Sequence, residues 1–155
     1  MRRTAIVIGA IVLMAGALRM VSAHEMKEKL PAGPIRDRHE LMEGIGKNAK
    51  VIGDALKAGN NNGIEEAAGR IQTSATKIAA LFPPGSTDPK SRAKPEIWTH
   101  WDKFQETTKQ LAATSGEVVQ TAHSGGDVKA AANKMFGTCK SCHDEFRVPE
   151  KKEKK

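Results

Sequence analysis

The sequence predicts an all-α fold, an antiparallel four-helix bundle. Apolar residues recur at spacings of three and four along most of the chain, as they do on one face of a helix. The alternation of β-branched residues that is typical of strands is absent. Glycine and proline divide the chain after residue 33 into four helical stretches joined mostly by short connections, and a bundle is the simplest way to pack four such helices.

The first two stretches are each bounded by residues that interrupt helices. The first begins at Pro34 and ends before the polar segment 59–63. Its apolar stripe consists of Met42, Ile45, Ala49, Ile52 and Leu56. The second is predicted to run from Ile64 to Phe82, where two prolines end it. Its stripe consists of Ile64, Ala68, Ile71, Ala75, Ile78 and Phe82.

The last two stretches follow a longer connection, the polar loop 83–94, which exceeds what a bundle turn needs. The third stretch is predicted to begin near Pro95 and to end at two glycines, 125 and 126. Its stripe consists of Ile97, Trp101, Phe104, Thr108, Leu111, Ser115, Val118 and Ala122. The fourth has Asp127 as its predicted N-cap and ends before Pro149. Its stripe consists of Val128, Ala132, Met135, Cys139, Cys142 and Phe146.

The N-terminal segment 1–23 is predicted to be a cleaved signal peptide. Two arginines precede an uncharged, mostly apolar run of 15 residues, and small residues follow at 21–23. The run is shorter than the ~20 residues that a membrane-spanning helix needs. We therefore expect an exported, periplasmic protein without a transmembrane segment, in which residues 24–149 form the bundle and 150–155 a lysine-rich tail.

Composition excludes some functions and raises a question about the core. Removal of 1–23 lowers the formal charge from +7 to +4, of which the last five residues carry +3, so no basic surface for nucleic acid remains. Leu, Ile, Val and Phe make up 16% of residues 24–155. Such a small apolar content predicts either Ala-rich helix contacts or a core partly filled by something other than side chains.

The only two cysteines stand in the pentapeptide 139–143, CKSCH, which has three possible uses. A dithiol redox site would normally begin a helix after a strand, and no strand is predicted. A zinc site would need further cysteine or histidine ligands at close spacing, and the other histidines are isolated. Covalent attachment of haem c is the third use and fits the pattern C-x-x-C-H.

Helix geometry supports haem attachment. Cys139 and Cys142 are one turn apart on one face, so both thiols reach one edge of a porphyrin and form two thioethers. His143 is then placed to be the proximal ligand of the iron. Because both cysteines lie on the apolar stripe, the haem is predicted to enter the bundle core and to supply its missing volume.

With these residues the sequence resembles the class II c-type cytochromes, the cytochrome c′ family of four-helix bundles with haem near the C-terminus. The resemblance is carried by the segments 38–42 (RHELM), 46–48 (GKN), 81–83 (LFP) and 95–98 (PEIW) with Trp101 and Phe104, and by 139–147 (CKSCHDEFR). It spans essentially the whole chain after residue 23. It implies one haem c and a monomer or a homodimer.

The resemblance also suggests the group on the other side of the iron. Most members leave that position open behind an apolar shield, whereas a low-spin branch has a methionine of the first helix as sixth ligand. Met42 stands at the matching position, and the sequence is most similar to the low-spin branch. Of the other methionines after residue 23, Met26 precedes the first helix and Met135 shares the fourth helix with the attachment motif. A plain distal shield remains the alternative for Met42, and His39 is a rival ligand that its helical position predicts to face solvent.

Four further positions are candidates for haem contact. Arg38 lies four residues before Met42 and could pair with a propionate, as an arginine does at this place in the family, although it could instead extend to solvent. Trp98, Trp101 and Phe104 are expected in the core, with at least one packing on the porphyrin. Phe146, four residues after Cys142, is a further packing candidate.

These observations predict a non-enzymatic function, since no acid–base pair or nucleophile motif stands out. The leading hypothesis is a periplasmic one-electron carrier with a His143/Met42-ligated haem that serves periplasmic or membrane-bound redox proteins. The alternative is a five-coordinate haem protein that binds nitric oxide or another small gas. It requires the Met42–iron bond to be absent or weak.

Overall fold

The computed structural model describes residue 30 and residues 32–149. The predicted signal peptide, 1–23, and the lysine-rich tail, 150–155, lie outside the described residues. Within the described part, no helix is both long enough and apolar enough to cross a membrane.

The described residues form five α-helices, four of which are the predicted bundle. They are α1 (Pro34–Lys57), α2 (Ile64–Ala75), the single turn α3 (Glu96–Thr99), α4 (Trp101–Ser124) and α5 (Val128–Phe146). A 3₁₀ turn, Ala79–Leu81, follows α2. In residues 32–149 the only β-type pairing is an isolated bridge between Ala93 and Arg147. The predicted all-α fold is confirmed.

The sequence signals at helix ends work as predicted at three places. Pro34 is the first residue of α1. Gly125 ends α4 in the left-handed conformation, with φ 73°, which glycine adopts without steric cost. Asp127 caps α5, since its carboxylate accepts a 2.9 Å hydrogen bond from the backbone N–H of Ala130.

Two helix boundaries differ from the prediction. The second helix ends at Ala75 rather than at Phe82. Just after Ala75, the hydroxyl of Thr76 donates a hydrogen bond to the carbonyl of Thr73, and this bond competes with the backbone bonds of the helix. The third is interrupted at His100, whose φ of −119° and ψ of 46° are not helical. Ile78 and Phe82 are nevertheless buried, so the apolar periodicity identified core residues beyond the end of the helix.

The packing of the bundle is uneven. The helix α2 packs extensively against α1 and α4, and α4 packs against α5, whereas α1 and α5 contact each other at only a few points. The core runs through all the helices, and its almost fully buried residues are Ile52 of α1, Ile64 and Ile71 of α2, Ile97 of α3, Val118 of α4 and Met135 of α5. The α1/α5 seam is therefore the side of the bundle that side chains close least.

The N-cap of α5 offers a test of this fold. We expect Asp127→Ala to lower the free energy of unfolding of the holoprotein by about 1 kcal/mol, because the N–H of Ala130 loses its acceptor. Denaturant unfolding followed by circular dichroism measures it. The matched control is Asn133→Ala at an exposed position of the same helix, which should change stability by less than about 0.5 kcal/mol. Equal effects of the two substitutions would contradict the capping role.

Candidate haem site

The attachment motif occupies the last two turns of α5. Cys139 and Cys142 are both partly buried and pack against the core, and neither forms a disulfide. His143 follows directly and is only partly covered by its neighbours. The intervening Lys140 and Ser141 point to the solvent side, where the ammonium of Lys140 pairs with Asp144. The two thiols and the two polar residues between them in the sequence thus lie on different faces of α5.

The electrostatics of the thiols do not suit a dithiol redox site. Burial raises the pKa of Cys139, and burial together with Cys139 and Glu145 raises the pKa of Cys142 to about 11. Redox-active cysteines have lowered values, because the thiolate is the reactive form. Within residues 32–149 no group of three or more His, Cys, Asp and Glu side chains is arranged to hold a metal ion, so a zinc site built from side chains is not seen there either.

His143 is electrostatically suited to bind iron. Partial burial lowers its pKa, and the positive charges of Arg147 and Arg92 lower it further, against the opposing effect of Asp144. The imidazole is therefore neutral at pH 7, with a nitrogen lone pair free to act as a ligand.

Met42 lies on the side of α1 that faces α5. On the opposite flank of α1, Gly44 and Asn48 line a groove shared with α2. At about 100° per residue, Met42 stands roughly 120–160° around the helix from these two residues. It is partly buried and packs against the core. Met135, by contrast, belongs to α5, the helix of the attachment motif, and is completely buried. The structure therefore places the thioether of Met42 on the flank of α1 away from α2, with its side chain against the core that the two cysteines also contact.

The prediction that His39 faces solvent is wrong. The residue is half-buried, and its Nδ1 atom is buried with no hydrogen-bond partner in the described part of the chain. The buried face of α1 is wider than its apolar stripe, because α2 covers one flank and the other turns toward α5. His39 lies on this second flank, about 60° from Met42. His100 and His123 are exposed.

Arg38 is buried, with 5% of its surface exposed, rather than extended to solvent. Its guanidinium donates to the hydroxyl of Ser86 at 2.9 Å, to the carbonyl of Ser86 at 2.8 Å and to the hydroxyl of Ser91 at 2.9 Å. It also stands 4.6 Å from the ring centre of Phe82. The three hydrogen bonds engage Nη1 and Nη2, and none of them uses Nε. Burial lowers the pKa of Arg38, and Asp88 opposes this effect.

The aromatic candidates lie near Arg38, at the end of the bundle where α1 begins and α5 ends. The ring of Phe104 packs edge-on against Phe82 at 4.9 Å and Phe146 at 5.3 Å, and lies 5.6 Å from Trp101. Phe104 and Phe146 are buried, whereas Trp101 and Trp98 are partly exposed. The indole N–H of Trp98 donates to the carbonyls of Phe82 and Pro83, both at 3.1 Å. Trp98 thus fixes the start of the long loop.

Sequence reasoning missed the residues of that loop that reach the site. Ser86 and Ser91 hold Arg38, and Lys94 donates to the carbonyls of Asp144 and Glu145, both at 3.0 Å, at the end of α5. The unusual length of the loop was the only sequence feature that suggested a role for it. That length did not indicate which residues of the loop contact the site.

The residues at the seam fit a haem. Two half-buried thiols lie on one face of α5, and a neutral imidazole lies beside them. A thioether and the orphaned Nδ1 of His39 stand on the opposing flank of α1. The phenyl rings provide an apolar end wall. A C-x-x-C-H motif on the last helix of a bundle, facing its least closed seam, defines a c-type haem protein with C-terminal attachment.

Comparison with known proteins identifies the family. Residues 33–147 match the family model described as Cytochrome C′. The cytochrome c′ of Rhodopseudomonas palustris is 31% identical over 118 residues, which cover 74% of this chain and 81% of that protein. The chain belongs to the cytochrome c′ family, whose members carry one covalently attached haem c.

Solved structures agree with the fold. The cytochrome c′ structure from Rhodopseudomonas palustris superposes with a TM-score of 0.70 at 29% identity, covering 78% of this chain and 100% of that one. A nitric oxide complex of a single-residue mutant of cytochrome c prime from Alcaligenes xylosoxidans superposes with a TM-score of 0.65 at 20% identity, covering 76% of this chain and 98% of that one. The predicted bundle with C-terminal haem attachment is confirmed, whereas the assignment to the low-spin branch gains no support.

Proposed function

We propose that this protein binds nitric oxide or a similar small diatomic gas on the distal face of its haem, with His143 as the protein ligand of the iron. In this proposal Met42 shields the distal face rather than ligating the iron. The haem iron supplies the gas-binding chemistry. The chain supplies the two thioether links, the proximal imidazole and an apolar seam that admits a small uncharged molecule.

The observation that carries the proposal is the α1/α5 seam. The two helices have few contacts, and the flank of α1 away from α2 carries an apolar side chain, Met42, packed against the core. Ile45 and Ala49 continue that apolar face along α1. His39 stands beside this face, but the stretch formed by Met42, Ile45 and Ala49 is apolar, and an apolar surface favours reversible capture of a neutral gas.

The comparisons add support. The family model and the Rhodopseudomonas palustris relative carry the name cytochrome c′. A mutant of the Alcaligenes xylosoxidans protein, which has the same fold, has a solved structure with nitric oxide bound. The structural similarity between the two proteins establishes a common fold. We propose that this chain also shares the ligand, nitric oxide.

The coordination number of the iron tests the proposal. We expect the electronic absorption and electron paramagnetic resonance spectra of the purified holoprotein to show high-spin, five-coordinate haem in the ferrous state. A low-spin, six-coordinate ferrous spectrum would contradict the proposal and would support the second candidate function.

That second candidate is one-electron transfer with Met42 as sixth ligand. It is favoured by one observation, namely that Met42, the only methionine of α1, lies on the flank away from α2 and packs against the core. A thioether ligand favours ferrous iron and raises the reduction potential. The partners would be periplasmic or membrane-bound redox proteins. The spectrum above distinguishes the two functions, because only the second fills both axial positions with side chains.

We further propose that the protein acts in the periplasm after removal of residues 1–23, and that it is not an enzyme. Mass spectrometry of the protein from a periplasmic extract should give a chain beginning at His24 with one haem added. A chain that retains residues 1–23 would contradict this processing.

A further inference from the structure

The loop 83–94 spans the end of the bundle where α1 begins and α5 ends, and it is anchored at its two ends and its middle. The indole of Trp98 fixes its start through the carbonyls of Phe82 and Pro83. Within the loop, the N–H of Ser91 donates to the carbonyl of Asp88 at 2.8 Å. The segment is therefore a folded connection with defined contacts.

Its middle is held by α1. Arg38 makes three hydrogen bonds to Ser86 and Ser91, between 2.8 and 2.9 Å, and its guanidinium lies over Phe82. A guanidinium that is 5% exposed and bonded in this way has few alternative positions. Arg38 thus ties the first turns of α1, one turn before Met42, to the loop.

The last residues of the loop are held by α5. The N–H of Lys94 donates to the carbonyl of Phe146 at 3.0 Å, and the N–H of Val148 donates to the carbonyl of Arg92 at 2.8 Å. The side chain of Arg92 also donates to the carbonyl of Val148 at 2.9 and 2.7 Å. The ammonium of Lys94 binds the last carbonyls of α5, the turn that begins at His143.

We propose that the loop 83–94 is a strap that joins α1 to α5 across their otherwise open seam, and that Arg38 acts through it as a positioning residue for Met42. The strap sets how far the helix carrying Met42 stands from the helix carrying His143. The width of the distal space, and with it the access of a small molecule to the haem, then depends on hydrogen bonds made outside the haem pocket. This inference rests on a haem held between α1 and α5, and it deepens the proposed gas binding.

The serines allow a test that leaves the haem contacts in place. The double variant Ser86→Ala/Ser91→Ala removes two of the three acceptors of Arg38 and keeps its charge, which a change of Arg38 itself would not do. The matched control is Thr87→Ala, an exposed hydroxyl of the same loop that takes no part in these bonds. All proteins are compared as holoproteins with one covalent haem.

Two measurements are made on each protein. We expect carbon monoxide association with the ferrous double variant to be about three- to tenfold faster than with the wild type, because part of the free energy of the two lost guanidinium–hydroxyl hydrogen bonds contributes to the barrier to entry. Amide hydrogen exchange should become faster in the loop and in the first two turns of α1, while α2 and α4 keep their protection. Thr87→Ala should match the wild type in both.

The outcomes separate the strap from the proposed function. Faster exchange in the loop and α1 together with a changed association rate supports the strap. If the wild-type iron is six-coordinate, a changed electron paramagnetic resonance spectrum of the double variant supports the strap while the gas-binding proposal fails. Unchanged exchange in α1, or an unchanged haem spectrum together with an unchanged association rate, would overturn the strap.

Discussion

Replacing both Cys139 and Cys142 with alanine should yield a protein without covalent haem and with a poorly packed bundle. The two thioethers are lost, and the α1/α5 seam loses the large apolar group that joins its walls. The chain has few large apolar side chains to compensate, since several of its buried core residues are alanines. A group bound only by the folded state stabilises that state, so its loss should lower the melting temperature by about 10 °C or more.

Denaturing mass spectrometry measures the covalent haem, and circular dichroism measures the melt. Ser141→Ala is the matched control, because it changes an exposed residue of the same motif and leaves both thiols in place. It should keep the haem and the wild-type melting temperature. A haem-free double variant with native helicity and a sharp melt at the wild-type temperature would show that side chains alone complete the core.

Replacing Met42 with alanine should open the distal face without changing the spin state. In the gas-binding proposal the thioether blocks access, and its removal should raise the association rate of carbon monoxide by about tenfold or more, which corresponds to about 1.4 kcal/mol of barrier. Stopped-flow mixing measures the rate, and the absorption spectrum reports the spin state.

The matched control is Leu41→Ala, a half-buried residue on the flank of α1 nearer to α2. It should cost stability but leave the association rate within a factor of about two, since it lies off the seam. Conversion of a low-spin wild type into a high-spin Met42→Ala protein would instead establish Met42 as the sixth ligand. That result would replace gas binding by electron transfer as the function.

Much of the fold was predictable because its signals are local. Pro34, Gly125 and Asp127 act on the turn in which they stand, and each ends or begins a helix where expected. The motif at 139–143 is also local, since helix geometry alone puts both thiols on one face. The apolar periodicity located the core even at Phe82, beyond the end of α2.

The remaining features depend on contacts between distant parts of the chain. The burial of Arg38 results from its bonds to Ser86 and Ser91, about fifty positions away, which no spacing rule indicates. The interruption at His100 accompanies the docking of Trp98 onto the loop. His39 is half-buried because of the neighbours of α1, not because of its own residue type. These contacts assemble the strap, and therefore the part of the site that sequence patterns did not reveal.

Titration of the ferrous holoprotein with nitric oxide tests the central claim most directly. We expect a high-spin five-coordinate starting spectrum and saturation at one nitric oxide per haem, with His143 as the ligand that the chain supplies and the gas bound on the distal face. A low-spin starting spectrum that nitric oxide leaves unchanged would contradict it.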